Sequence, residues 1–262
     1  PIFVKCDISQ DFKLTASQLE KHITKKTKWL ILNSPSNPTG SVYTYDELKS
    51  LSQVLLKYPN VLVLTDDIYE KIIYDEIKFD TIASVEPKLK DRVLTLNGVS
   101  KAYCMTGWRL GYCAGPKDII AGMNKIQSQS TTSTSSITMA ASVEALNGSQ
   151  EFLKKHNIEF KRRRNLVVEK INNIHGLSCN MPSGAFYVYP NCEGLIGKKT
   201  SQNDVIKNDE DLMKYLLESE GVAGVHGEAF GLSPYFRLSY ATDEKTLIEA
   251  CDRIERACRK LR

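Results

Sequence analysis

The sequence lacks long apolar runs and paired cysteines. None of its apolar stretches approaches the roughly eighteen residues that a membrane-spanning helix needs. The seven cysteines are scattered without CxxC pairs, and their odd number fits reduced thiols better than a disulfide framework or a zinc site. The four histidines show no ligand spacing. We therefore predict no metal, no membrane association and a cytoplasmic location.

The chain also lacks a strong excess of charge of either sign. Its net charge of +4 is spread along the sequence, and a solvated helix face explains the densest basic cluster, residues 162–164, better than nucleic-acid binding does. We predict no nucleic-acid partner. With 42% hydrophobic and 25% charged residues, the 262-residue chain is typical of a soluble globular protein with two domains.

Short apolar runs alternate with helical patterns in the first part of the chain. Two capping boxes, Thr15 with Gln18 and Thr44 with Glu47, predict helices over residues 16–25 and 44–57. Strands are predicted over residues 28–33, 61–65, 93–97 and 110–114. This alternation predicts an α/β fold, with a largely parallel sheet flanked by helices in a large domain over residues 1–155. Residues 156–262 are predicted to form a smaller C-terminal α+β domain.

Polar residues follow three of these predicted strands directly. They are the loop from Asn33 to Gly40, Asp66 with Tyr69, and Lys101. Ligands of such sheets bind beyond the carboxyl ends of the strands, so we expect a site there. Taken singly, each residue has an ordinary structural explanation, as a helix cap, a turn former, a core side chain or a solvated charge.

Six segments carry a family resemblance across the whole chain. They are Ser34-Pro-Ser-Asn-Pro-Thr-Gly40, Asp66-Asp-Ile-Tyr-Glu70, Asn97-Gly-Val-Ser-Lys101, Met105-Thr-Gly-Trp-Arg-Leu-Gly-Tyr112, Ser183-Gly-Ala-Phe-Tyr187 and Phe236-Arg-Leu-Ser-Tyr-Ala241. In this order and spacing, the sequence resembles the class I aminotransferases of pyridoxal phosphate (PLP) fold type I. Within that family it is most similar to the bacterial aspartate aminotransferase subgroup, which includes aspartate/prephenate enzymes. The resemblance implies PLP as the cofactor, a PLP-binding large domain and a homodimer.

The resemblance gives Lys101 and Asp66 catalytic roles. Lys101 would form an aldimine with the cofactor and then move the proton at the substrate α-carbon, because a desolvated lysine can be a neutral nucleophile and base. Asp66 would pair with the pyridine nitrogen. Asp67 offers the same chemistry, but the family spacing Asp-x-x-Tyr selects Asp66, and strand alternation turns Asp67 away.

The remaining site residues are assigned by the same resemblance. Tyr69 and Asn37 would donate to the phenolic oxygen of the cofactor, and Arg109 would bind its phosphate through a bidentate guanidinium. Ser100 is a further candidate on the phosphate side. Gly98 stands where many relatives have a serine, so one phosphate hydroxyl is expected to be absent.

The resemblance also implies the substrates. Arg237, with Asn37, would bind the α-carboxylate, and the expected reaction is PLP-dependent transamination between aspartate or glutamate and a 2-oxo acid. Because the α-carboxylate is common to all amino acids, prephenate, aromatic and alanine substrates stay open. The chain starts at Pro1 in a strand-like run, so we expect a fragment without its N-terminal portion. A catalytically incompetent PLP-fold fragment or regulator domain is the remaining alternative.

Overall fold

A four-stranded sheet organises the first half of the chain. In the computed structural model, which describes residues 1–262, its strands are β1 (Trp29–Asn33), β2 (Leu62–Asp66), β3 (Val93–Gly98) and β4 (Gly111–Ala114). They lie in the order β1-β2-β3-β4. The first three are parallel, as predicted, and β4 is antiparallel to β3.

The connection between β3 and β4 contains no α-helix. Residues 99–110 hold only a short 3₁₀ helix, Thr106–Trp108, before β4 begins. A parallel return usually runs through a full crossover helix. The chain therefore turns back beside β3, and the residues that follow β3 are confined to this short link.

Helices α1 (Ala16–His22) and α2 (Tyr45–Lys57) begin at the two predicted capping boxes. The predicted continuation of α1 to residue 25 is wrong: Ile23 is extended, and the Thr24 N–H is instead bonded to the Thr27 hydroxyl at 2.9 Å. Threonine side chains compete in this way with helical hydrogen bonds. A short helix α3 (Ile82–Val85) and a 3₁₀ helix (Pro87–Arg92) precede β3.

The second half of the chain is mainly helical. It contains α4 (Lys117–Ser130), α5 (Ser136–Asn147), α6 (Glu151–Asn172), α7 (Asp209–Glu220) and α8 (Glu244–Lys260). A second, antiparallel sheet has the order β5-β7-β6, formed by β5 (Tyr187–Val188), β6 (Val225–His226) and β7 (Phe236–Ser239). None of the helices is both long enough and apolar enough to cross a lipid bilayer.

The buried apolar residues form two clusters. One contains 13 residues, all between Leu19 and Val93, and includes the inner face of α2. The other contains 29 residues, most of them from Leu153 onward, but Tyr69 and Ala102 also belong to it. The segments that follow β2 and β3 therefore pack against the C-terminal half. The domain boundary near residue 155 stays a prediction, and α6 begins close to it.

Candidate functional site

The ends of β1 and β2 are joined by a side chain that the sequence analysis did not single out. Asn33 and Asp66 are register partners, and the Asn33 amide donates to the Asp66 carbonyl at 2.8 Å. The Asn33 side-chain oxygen accepts the backbone N–H of Asn37 at 2.7 Å. Asn33 thus attaches the loop that carries Asn37 to the carboxyl edge of the sheet.

Gly40 brings this loop against the Ser183–Tyr187 segment. Its φ is +71°, and a Cβ there would lie 2.5 Å from the Cβ of Pro182. The Gly40 carbonyl accepts the N–H groups of Ser183 and Gly184 at 3.1 and 2.8 Å. Only glycine permits both this conformation and this close approach. Two of the six family-like segments, far apart in sequence, therefore contact each other directly.

Asp66 and Asp67 have different surroundings. The Asp66 carboxylate accepts the Ile68 N–H at 3.3 Å and stays partly exposed. Asp67 is only 2% exposed, and the Thr65 hydroxyl donates to its carboxylate. Burial raises the pKa of Asp67 to about 6. Asp67 is committed to the interior, so Asp66 is the carboxylate that is accessible at the end of β2.

Tyr69 lies beneath Lys101. The Lys101 Nζ is 5.8 Å from the centroid of the Tyr69 ring, and the Phe186 ring meets that ring edge-on at 5.5 Å. The Tyr69 and Tyr187 hydroxyls are 3.0 Å apart. Burial, and next the hydrogen bond with Tyr187, raise the pKa of Tyr69 above its ordinary value. The Tyr69 hydroxyl therefore keeps its proton at neutral pH and can donate it in a hydrogen bond.

Lys101 lines a cavity of about 430 Å³. Ser100, Thr106 and Phe186 are also part of its wall. The Thr106 hydroxyl donates to the Ser100 carbonyl at 3.1 Å, which fixes the link between β3 and β4 across its turn. The lysine amine is thus placed at an open, partly apolar surface, as a reactive lysine requires.

Arg109 is held on the link between β3 and β4. Its Nη1 donates to the Thr106 carbonyl at 2.9 Å, and its φ of 54° lies in the left-handed region. The side chain is exposed. Thr106 therefore positions both Arg109 and Ser100, a role that the sequence analysis missed.

Position 98, where a phosphate hydroxyl is expected to be absent, has little space for a side chain. A Cβ on Gly98 would lie 3.0 Å from the Leu110 carbonyl oxygen and 3.3 Å from the Gly111 Cα. The close pairing of β3 with β4 leaves little room for a side chain there. Ser100 is the serine that remains on this part of the chain.

Arg237 meets Asn37 although the two are 200 positions apart. Its Nη1 donates to the Asn37 side-chain oxygen at 2.8 Å, and its Cζ lies 4.6 Å from the centroid of the Tyr187 ring. Arg237 is on β7, whereas Asn37 follows β1. The small sheet and the large sheet therefore contribute to one site, which contains an arginine, an amide, a tyrosine and Lys101.

Comparison with known proteins shows which family the chain resembles. Residues 1–254 match the family model of the aminotransferases of class I and II. A protein of Rhizobium leguminosarum bv. phaseoli, described as a probable aspartate/prephenate aminotransferase, is 58% identical over 98% of this chain and 64% of its own length. An aspartate aminotransferase of Rhizobium meliloti is 54% identical over 100% of this chain and 64% of its own length.

The same likeness holds in three dimensions. The crystal structure of the aspartate aminotransferase from Rhizobium meliloti superposes with a TM-score of 0.97 at 53% identity, covering 100% of this chain and 66% of that one. The fold is therefore shared over the whole chain. The chain spans 64% of the length of these two curated relatives.

Proposed function

Because the chain belongs to the aminotransferase class I and II family, we propose that the protein acts in PLP-dependent transamination between an amino acid and a 2-oxo acid. The observation that carries the proposal is the convergence of four chain segments at one site. Lys101 lies over Tyr69, and Arg237 reaches Asn37 beside them. A purely structural role would not require an accessible lysine and an accessible arginine at the same edge of the sheet.

The donor set fits pyridoxal phosphate. The cofactor presents an aldehyde, a basic ring nitrogen, a phenolic oxygen and a phosphate, and when bound it supplies an electron sink for the substrate carbanion. The chain offers an amine on Lys101, an accessible carboxylate on Asp66 and a protonated hydroxyl on Tyr69. Arg109 and Ser100 are proposed for the phosphate, since the guanidinium of Arg109 has no acidic partner within the chain.

Each catalytic residue has one task in this proposal. Lys101 would hold the cofactor through its amine and would move the proton at the substrate α-carbon. Asp66 keeps the ring nitrogen protonated through its negative charge. Tyr69 and Asn37 donate to the phenolic oxygen and stabilise its anion.

The substrate side depends on Arg237. Its Nε–H and Nη2 hydrogens are left for a carboxylate, because Nη1 is committed to Asn37. Aspartate or glutamate is the proposed amino donor, and aspartate is in the names of both relatives. The name of the first relative also includes prephenate, so prephenate is the second candidate substrate. A homodimer is proposed on the same family grounds.

The proposal is tested by trapping the cofactor on its lysine. The protein is incubated with PLP, reduced with borohydride and mapped by peptide mass spectrometry, and aspartate-dependent transamination is measured in parallel. We expect the label on Lys101, and we expect Lys101→Arg to lose the label and about 10² to 10⁴-fold of the activity. Lys117→Arg, at an exposed position on α4, is the matched control and should change neither.

Two outcomes would contradict the proposal. A label on other lysines with none on Lys101 would contradict the assignment of Lys101 as the lysine that binds the cofactor. A label on Lys101 without transamination of aspartate, glutamate or prephenate would instead favour a non-catalytic PLP-fold domain.

A further inference from the structure

The guanidinium of Arg237 lies against two aromatic rings. Its Cζ is 4.6 Å from the centroid of Tyr187 and 5.2 Å from the centroid of Phe230. Both distances are within the range of a cation–π interaction. Tyr187 also bonds the Tyr69 hydroxyl and belongs to the segment already assigned to the site. Phe230 belongs to none of the family-like segments, and its contact with Arg237 connects it to the site.

The turn that carries Phe230 is firmly held. The 3₁₀ helix Gly227–Phe230 ends at Gly231, whose φ is +77°, and the Leu232 N–H closes the turn on the Gly227 carbonyl at 3.1 Å. The Tyr189 hydroxyl donates to the Leu232 carbonyl at 2.9 Å. The turn is therefore anchored at its end by the residue that follows β5.

A buried carboxylate fixes the same turn from α7. Asp209 is 1% exposed, and one of its oxygens accepts both the Glu228 N–H at 3.2 Å and the Ser233 hydroxyl at 2.9 Å. These two donors lie on either side of Phe230 in sequence. Because Asp209 is in the first turn of α7, the position of the Phe230 ring is set by a helix and not by a free loop.

We propose that Phe230 is a positioning residue for the α-carboxylate subsite: its ring, held by the Asp209-anchored turn, fixes the direction of the Arg237 guanidinium. The inference rests on the proposed function. An arginine side chain has several rotatable bonds and loses entropy when a ligand immobilises it. A ring already in contact with the guanidinium reduces that loss, so the substrate meets a preorganised fork of donors.

Three substitutions of Phe230 distinguish the effect of its aromatic ring from the effect of its side-chain volume. Phe230→Tyr keeps the aromatic face, Phe230→Leu keeps an apolar side chain without a π system, and Phe230→Ala keeps neither. In the PLP-loaded protein, we expect Leu and Ala to weaken binding of maleate, a non-reacting dicarboxylate, by about three- to tenfold in calorimetry. The KM values for aspartate and 2-oxoglutarate should rise by a similar factor, because each of these substrates carries the α-carboxylate. The kcat should change less than about twofold. Tyr should behave as the unsubstituted protein.

The outcomes distinguish this inference from the proposed function. If the unsubstituted protein transaminates and Phe230→Leu binds maleate equally well, the positioning role is wrong and the proposed function stands. Equal losses in the Leu, Ala and Tyr variants would show that packing, not the aromatic face, matters. Failure of the unsubstituted protein to bind maleate and to transaminate would overturn both.

Discussion

Adjacent carboxyl groups at the end of β2 differ in environment because consecutive residues of a strand point to opposite faces. Asp66 stays partly exposed at the site edge, whereas Asp67 is buried with the Thr65 hydroxyl. Strand alternation therefore allowed the sequence to separate the two residues. The buried environment of Asp67 has its own consequence for stability.

Asp67 should make the protein less stable as pH rises from about 4 to 6. Burial raises the pKa of this carboxyl from 3.8 to about 6, so the folded protein binds its proton more tightly than the unfolded chain. Its stabilising contribution is full below pH 4 and is lost as pH rises through 6. We expect the unfolding free energy of Asp67→Asn, relative to the unsubstituted protein, to rise across this window by at most about 3 kcal/mol.

Urea denaturation at several pH values measures this difference. Asp91→Asn, at an exposed position in the 3₁₀ helix before β3, is the control. A flat curve for Asp67→Asn would show that the buried carboxyl does not bind its proton more tightly in the folded state.

Other site residues could not be identified from their own positions. Asn33 appears as one more polar residue at a strand end, and its role is visible only in its bonds to Asp66 and Asn37. Phe230 carries no pattern that distinguishes it from a core aromatic. Thr106 is inside a family-like segment, yet its contacts, not its type, show that it holds Ser100 and Arg109.

Among the elements, α6 connects the two halves of the molecule through Arg164. This buried arginine bonds the carboxylate of Asp75, donates to the Pro182 carbonyl at 2.9 Å and lies 4.9 Å from the Tyr74 ring. Hydrogen bonds from Arg164, followed by those from Lys161, lower the pKa of Asp75 to about 2. The helix is thereby fixed to the segment that follows Tyr69.

Removing the Arg164 guanidinium should cost about 2 to 3 kcal/mol of unfolding free energy. Arg164→Met keeps an apolar stem but leaves the Pro182 carbonyl and Asp75 without this donor. Arg162→Met is the matched control on the same helix, because Arg162 is half exposed and its ion pairs, with Glu159 at 3.0 Å and with Glu244, are surface pairs worth less than about 1 kcal/mol each. Urea denaturation midpoints compare the two variants, and equal losses would contradict the structural role of Arg164.

The starts of α1 and α2 and the bounds of the four strands of the large sheet were predicted to within one residue, whereas the pairing of the small sheet was not predicted. The starts of α1 and α2 follow from two capping boxes, a local signal within four residues. Strands β5 and β6 are only two residues long, and their pairing with β7 joins distant parts of the chain. Apolar composition marks such runs but does not give their partners.

At the scale of the whole molecule, α4 and α5 leave several apolar side chains uncovered. Helix α4 has no buried residue, and Ile126 and Ile137 are each 73% exposed, with Val143 on α5 at 59%. Exposed apolar side chains are covered when they lie at an interaction surface. These side chains therefore support the proposed homodimer, in which a second copy would cover them.

A charge introduced among the exposed apolar side chains of α4 and α5 should weaken self-association of the protein. We expect Ile126→Glu to raise the dimer dissociation constant at least about tenfold in sedimentation equilibrium, because a carboxylate would be desolvated at the interface. Ile158→Glu changes a similarly exposed isoleucine, 66% exposed on α6, and should leave the constant unchanged. A monomeric unsubstituted protein, or equal behaviour of the two variants, would contradict the proposal.

The sequence by itself determined the α/β class and the starts of the two capped helices, because periodicity and capping are encoded within short segments. Its six family-like segments nominated Lys101, Asp66, Tyr69, Asn37 and Arg237 as site residues through resemblance, and these roles stay proposals.

Only the tertiary structure decided how those residues meet. It decided that Asn33 holds the loop of Asn37, that Arg237 reaches Asn37 across 200 positions and that Phe230 supports its guanidinium, while Arg109 stays exposed. Such contacts depend on how two sheets and α6 pack together, and packing is a property of the whole chain that no local pattern encodes.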